Sequence, residues 1–198
     1  MSRTPADASA QTVTIATDDF VQIIDKSDGY SAKKAVASTA FMLTGRSEQR
    51  VIPICGNAKA GATAGWVITG GTNICHATLP ASQTSSTLVV PISGLNIGDT
   101  LTAVSATGQV ESAGGNVTLT MSIRKLTNAA ADNTDAELGT DNVGTLTADT
   151  ILSSANLAVT GLTEVLAEGE TLYALFTGTT AGSTDIDLTG LIATVTRA

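Results

Sequence analysis

The chain has 198 residues, a formal net charge of −8 and only 3% aromatic residues, a length that fits one domain of ordinary size or one domain with an arm. Its acidity, with no basic stripe interleaved with aromatics, argues against a nucleic-acid partner. No apolar stretch approaches the roughly 18 residues of a membrane span, so no membrane partner is expected, and the opening MSRTPADASA lacks the hydrophobic region of a signal peptide, so synthesis in the cytosol is expected.

Residues 1–11 are small and polar without a period and read as a flexible or partner-ordered tail. Val13 with Ile15, and then Phe20 to Ile24, read as short strands, and Ser27-Asp28-Gly29 reads as a turn. After it, Ala32, Ala35, Val36, Thr39, Ala40 and Leu43 fall at helical spacing, with Ser31 placed as a cap and Gly45 as a stop, which predicts one short helix. Residues 56–65, GNAKAGATAG, have the composition of a linker between the apolar runs VIPIC and WVITG. The expected division is therefore an N-terminal anchoring region over 1–59 and a β-domain over 60–198.

From Trp66 onward strands are predicted at about 66–69, 73–79, 86–92, 100–107, 116–126, 156–160, 170–178 and 185–196. Val117, Leu119, Met121 and Ile123 alternate with Thr118, Thr120, Ser122 and Arg124, the period of a strand with one buried face. The runs before and after Gly114-Gly115 read as an antiparallel pair joined by an irregular loop, and residues 127–155 read as the longest irregular connection. Thr occurs 33 times, one residue in six, and its branched side chain favours strands while keeping an exposed sheet face wet. The fold class is all-β: a β-sandwich or jelly-roll domain preceded by an arm with short strands and one short helix. A core of small aliphatic residues is light for this surface, which points to a homo-oligomer.

Charge is uneven between the two regions. Residues 1–59 hold seven bases and six acids, net +1, and residues 60–198 hold three bases and twelve acids, net −9, which together give −8. The imbalance reads either as an acidic surface that keeps the β-domain soluble or as a first region that docks on a partner while the rest faces water.

Few residues point to chemistry. His76 is the single histidine and follows Cys75, but neighbours on a strand point to opposite faces, so a Cys-His catalytic pair is not expected. Two cysteines and one histidine without a CxxC spacing do not make a zinc site. In a cytosolic setting Cys55 and Cys75 are expected as free, buried thiols. The acidic run DNTDAELGTDN, with Asp132, Asp135, Glu137 and Asp141, does not match a calcium loop of EF-hand type and reads as solvated. Asp185 and Asp187 share one face of a predicted strand and are likewise expected to be solvated rather than to hold a cation. Trp66, Tyr30 and Tyr173 are candidate sugar platforms, but their apolar neighbours place them in the core. No GxSxG elbow and no Gly-rich phosphate loop occurs. No enzyme activity, cofactor or metal is expected.

The segment TDDFVQIIDKSDGYSAKKAV resembles the opening of many tailed-phage virion proteins, with an acidic pair, an apolar strand, a Ser-Asp-Gly turn and a Lys pair leading into the assembly. GLNIGDTLTAV, GGNVTLTMSIRKLTN and EGETLYALFTGT resemble strands of small jelly-roll domains in phage head-decoration and fibre proteins. The resemblance implies a virion structural protein, a homotrimer decorating or stabilising the capsid surface. Its partner would be the major capsid or another virion protein, anchored by the N-terminal region; from the sequence itself, the apolar strand residues Phe20, Val21, Ile23 and Ile24 and the pair Lys33 and Lys34 are expected to make that contact. The alternative it leaves open is a tail-fibre or receptor-binding protein that contacts the host surface.

Overall fold

A computed structural model describes residues 23–24, 32–33, 45–54, 58–60, 65–70, 75–111 and 117–198. The chain divides into two compact units, Met1–Thr44 and Gly45–Ala198. In chain order the strands of the described residues are β1 (Ile23–Ile24), β2 (Ala32–Lys33), β3 (Ser47–Pro53), β4 (Lys59–Ala60), β5 (Val67–Gly70), β6 (Cys75–Leu79), β7 (Ser86–Pro91), β8 (Thr100–Glu111), β9 (Val117–Thr127), β10 (Thr134–Leu146), β11 (Thr150–Leu152), β12 (Ala158–Val165), β13 (Glu170–Thr179) and β14 (Asp185–Thr196). The fold is all-β, and the described residues contain no helix.

In the first unit β1 and β2 pair antiparallel, Ile23 opposite Lys33 and Ile24 opposite Ala32, bracketing the Ser27-Asp28-Gly29 segment. Ala32 and Lys33, expected to open a helix, are instead extended, because β1 offers them a ladder. The rest of the expected helix, and the expected strand at Val13 and Ile15, lie outside the described residues.

The second unit is a sandwich of two antiparallel sheets over one core. The smaller sheet runs β10-β9-β13-β7-β4. In the larger sheet β8 and β14 lie side by side at the centre. The far side of β8 is shared by β11 and β12, the far side of β14 by β3 and β6, and β5 pairs with β6. Period-2 alternation drives this packing: β9 buries Val117, Leu119, Met121 and Ile123, as expected, while β13 buries Leu172, Ala174 and Phe176, and β14 buries Ile186, Leu188, Leu191, Ala193 and Val195. One hydrophobic cluster contains all of them.

Close approach of backbones is decided at two glycines. A Cβ at Gly108 would lie 2.0 Å from the carbonyl oxygen of Asp187, across the β8–β14 ladder, and the residue has φ +156°; only glycine lets the two central strands meet there. A Cβ at Gly139 of β10 would lie 2.7 Å from Val159 Cγ1 of β12. There the edges of the two sheets come together, tied by the Ala158 amide donating to Asp141 Oδ2 at 2.8 Å.

The eight strands expected beyond Trp66 are all present, with differences in their partners and neighbours. β8 and β9 do not pair: β8 belongs to the larger sheet and β9 to the smaller. Residues 134–146, expected to be irregular, form β10, which pairs with β9 along its length with two register shifts. Ser47–Pro53, expected in the arm, is a strand of the larger sheet paired with β14, and the second unit begins at Gly45, whose amide donates to the Arg197 carbonyl at 2.7 Å. Cys75, expected as a free thiol, is disulfide-bonded; Cys55, the other cysteine of the chain, lies outside the described residues. Cytosolic redox argued for thiols, whereas proximity in the folded chain decides which sulfurs can meet.

Candidate functional site

Strand alternation leaves each sheet an outer face, and the two outer faces carry the polar groups capable of chemistry or recognition. On the smaller sheet, Tyr173 of β13 stands opposite Arg124 of β9 on one side and Pro91 of β7 on the other, and Glu137 of β10 stands beyond Arg124. Arg124 Nε donates to both carboxylate oxygens of Asp135 at 3.1 Å, and its second nitrogen lies 3.0 Å from Oδ2. Its remaining nitrogen reaches Glu137 Oε2 at 3.4 Å. Tyr173 donates its hydroxyl to Asp135 Oδ1 at 2.8 Å, and Ser122 donates to Glu137 Oε2 at 2.8 Å. The hydrogen bond from Arg124 holds the Asp135 carboxyl below the usual carboxylate range, while burial pushes the Tyr173 phenol up, aided by Asp135. Next to this network Lys125 Nζ lies 2.6 Å from Glu164 and 2.9 Å from Glu170.

The sequence placed Tyr173 in the core, and the structure places it on the outer face. Its immediate neighbours Leu172 and Ala174 are buried; in a strand, buried neighbours on both sides mean that the residue between them points the other way. That parity was the available signal. Trp66 is a core residue, as expected, 5% exposed with its indole N–H donating to the Ser86 carbonyl at 3.1 Å. Tyr30 lies outside the described residues.

On the larger sheet, Asp185 and Asp187 of β14 point outward between the buried Ile186 and Leu188. Asp185 stands opposite Glu111 of β8, and Asp187 stands between Gln109 of β8 and Thr78 of β6. Thr78 donates its hydroxyl to Asp187 Oδ1 at 2.5 Å, and His76 Nε2 lies 3.7 Å from the same oxygen. Among the described residues the buried side-chain polar atoms without a hydrogen-bond partner are Asp185 Oδ1 and His76 Nδ1. Burial, and then the charge of Asp187, pushes the Asp185 carboxyl up.

This cluster is not a nucleophilic site. The hydroxyl of Thr78 donates to the Asp187 carboxylate rather than to the imidazole, so no Ser/Thr-His pair is formed, and Cys75 beside His76 is in a disulfide and offers no thiolate. No group of three His, Cys, Asp or Glu residues among the described residues is arranged to hold a metal ion. Asp135, Glu137 and Asp141, expected in a solvated loop, lie on β10; the first two face Arg124 and the third takes the Ala158 amide.

A third charged group is structural. Asp99 is 2% exposed and pairs with Arg197, which also pairs with Glu48. Glu48 holds Arg50 at 2.8 Å, and the Asn96 amide donates to Asp99 at 2.7 Å. The network fastens the last strand to β3 and to the turn before β8.

Of the expected partner-binding residues, Ile23, Ile24 and Lys33 lie in β1 and β2; Phe20, Val21 and Lys34 lie outside the described residues. No helix among the described residues is long and apolar enough to cross a membrane.

No family model and no curated protein matches the chain. Among solved structures, the CBM22-2 xylan-binding domain of Xyn10C from Paenibacillus barcinonensis is similar over 75% of this chain and 99% of that one, at 13% identity and a TM-score of 0.44. TmCBM61, solved with β-1,4-galactotriose, is similar over 80% and 93%, at 9% identity and a TM-score of 0.33. The enzymatically active domain of tailspike protein 4 from bacteriophage CBA120 is similar over 76% of this chain and 19% of that one, at 13% identity and a TM-score of 0.32. Likenesses of this size carry neither ligand nor activity across to this chain, which is an all-β sandwich with two polar outer faces.

Proposed function

We propose that the chain is a non-enzymatic structural protein of a tailed-phage virion, attached to the major capsid or another virion protein through its first unit, with the sandwich facing outward and the copies assembled as a homotrimer. The observation that carries this reading is the division of the chain at Thr44. The sandwich has its own core, and its first residue is fastened to its own last strand through Gly45 and Arg197, which supports a β-domain that folds from residue 45 and an attachment role for the separate first unit. The segments that resemble phage jelly-roll domains fall on β8, β9 and β13 with their flanking turns.

The division at 44 changes the physical basis of the anchor. Residues 1–44 hold four bases and five acids, net −1, and residues 45–198 hold six bases and thirteen acids, net −7. Arg46, Arg50 and Lys59 belong to the sandwich unit, where Arg50 is spent on Glu48. The attachment we propose therefore rests on the apolar run Phe20 to Ile24 more than on positive charge.

Deleting residues 1–44 tests it. The expected outcome is a chain that keeps a strand-type circular dichroism spectrum and a cooperative melt but no longer co-sediments with particles lacking the protein. Full binding by the truncated chain overturns the assignment of the anchor. Sedimentation of the full chain at micromolar concentration reads the oligomer separately, and finding only monomer, in solution and as isolated copies on particles, overturns the trimer.

A further inference from the structure

The described residues include three aromatic side chains, and they are not equivalent. Trp66 and Phe176 are buried in the core, whereas Tyr173 is only partly buried, on the outer face of the smaller sheet. Its hydroxyl is already committed to Asp135 at 2.8 Å, so what remains for a ligand is the apolar surface of the ring. Around it the groups are flat and fixed in place: Pro91 on one side and the guanidinium of Arg124 on the other, with Arg124 locked by Asp135 and Glu137. The side chains of Asp135 and Glu137 keep 41% and 47% of their surface exposed, and a carboxylate offers about four acceptor sites. The arrangement is thus a rigid apolar patch bordered by solvent-facing acceptors, on a sheet surface rather than in a closed cavity.

The class of ligand follows from that chemistry. A sugar ring presents a C–H face, which packs on an aromatic ring, and a rim of hydroxyl donors, which suits carboxylate acceptors. One guanidinium against two carboxylates leaves a local charge of −1, which disfavours anionic ligands. Because the side chains are held by one another before any ligand arrives, little ordering is lost on binding. We propose that the outer face of the smaller sheet, centred on Tyr173 with Arg124, Asp135 and Glu137, is a binding site for a neutral saccharide. This goes beyond attachment to a particle, in which Tyr173 takes no part.

The test is binding of the full chain to a printed array of neutral and anionic oligosaccharides, followed by titration of the best neutral ligand. Wild type binds neutral glycans; Tyr173→Ala weakens that binding about tenfold, the loss of one aromatic platform. Tyr173→Phe keeps the ring and stays within about threefold, and Thr177→Ala, on the same face four residues further along β13, leaves it unchanged. Should Tyr173→Ala fail to fold, Glu137→Ala replaces it, since that side chain is half-exposed, and the same loss is expected. Binding to no glycan, binding only to anionic glycans, or neutral binding unchanged in a folded Tyr173→Ala or Glu137→Ala variant overturns the proposal.

Discussion

The two outer faces of the sandwich treat carboxylates in opposite ways. On the outer face of the smaller sheet Asp135 and Glu137 share Arg124, while Lys125, on the opposite parity of β9, joins Glu170 of its own sheet to Glu164 of β12 in the larger sheet. On the larger sheet Glu111 stands opposite Asp185, and the one imidazole nearby, His76, lies 3.7 Å from Asp187. The carboxyls respond accordingly: a hydrogen bond from Arg124 lowers Asp135, hydrogen bonds from the Ala167 amide and then Lys125 lower Glu170, and burial followed by the charge of Asp187 raises Asp185. The same residue type on the same fold is thus held charged on one face and pressed toward neutrality on the other. What differs is whether the strand next in register brings a cation.

Four experiments sharpen or break this contrast, each read by denaturant unfolding at constant slope. Gly108→Val has the largest expected effect, a loss of about 4 kcal/mol from overpacking and backbone strain. Its Cβ would strike the Asp187 backbone and part the strands that hold Glu111 opposite Asp185. A loss below about 1 kcal/mol would mean that the central ladder yields there. Cys75→Ser follows, with a loss of about 2 to 4 kcal/mol, and reductant lowers wild-type stability by a like amount but leaves the variant unmoved. Insensitivity of the wild type to reductant would show that the bridge beside His76 contributes nothing.

Arg124→Ala should cost about 1 kcal/mol, since the side chains it pairs with are more than a third exposed; an unchanged midpoint would remove Arg124 as the organiser of its face. Asp185→Asn is the smallest effect and has the opposite sign, a gain of up to about 1 kcal/mol at pH 7. The pH dependence follows from linkage. Asp135 and Glu170 have lowered values in the folded state, so they stabilise above about pH 4, and that stability is lost as pH falls through their folded values. Asp185 has a raised value, so its ionisation costs stability as pH rises from about 4 through its folded value. The gain from Asp185→Asn should therefore vanish on acidification to pH 3. A gain that persists at pH 3 would assign it to packing rather than to charge.

The strands were legible in the sequence where one face is buried. Val117 to Ile123, Leu172 to Phe176 and Ile186 to Val195 each alternate, because a strand side chain reverses direction at every residue and the core selects one parity. β10 was not legible because none of its thirteen residues is buried: as an edge strand it is held by backbone pairing with β9, which leaves no hydrophobic period to read. β3 was misplaced in the arm because its partner β14 lies more than 130 residues further along the chain, at Gly190 opposite Pro53.

Sequence by itself determined the class of this protein: period-2 runs, abundant threonine and glycine punctuation are local properties, and they require strands and a sandwich core. Tertiary structure alone decided the partners. β8 and β9 are consecutive yet lie in different sheets, while β9 pairs with β13 in register from Glu170 opposite Thr127 to Thr179 opposite Thr118. That register is what brings Tyr173 beside Arg124, and the pairing of β10 with β9 is what supplies Asp135 and Glu137. No side chain encodes which strand will be its neighbour, because the choice minimises the free energy of two whole sheets closing over one core, and the outer-face sites are the by-product of that choice.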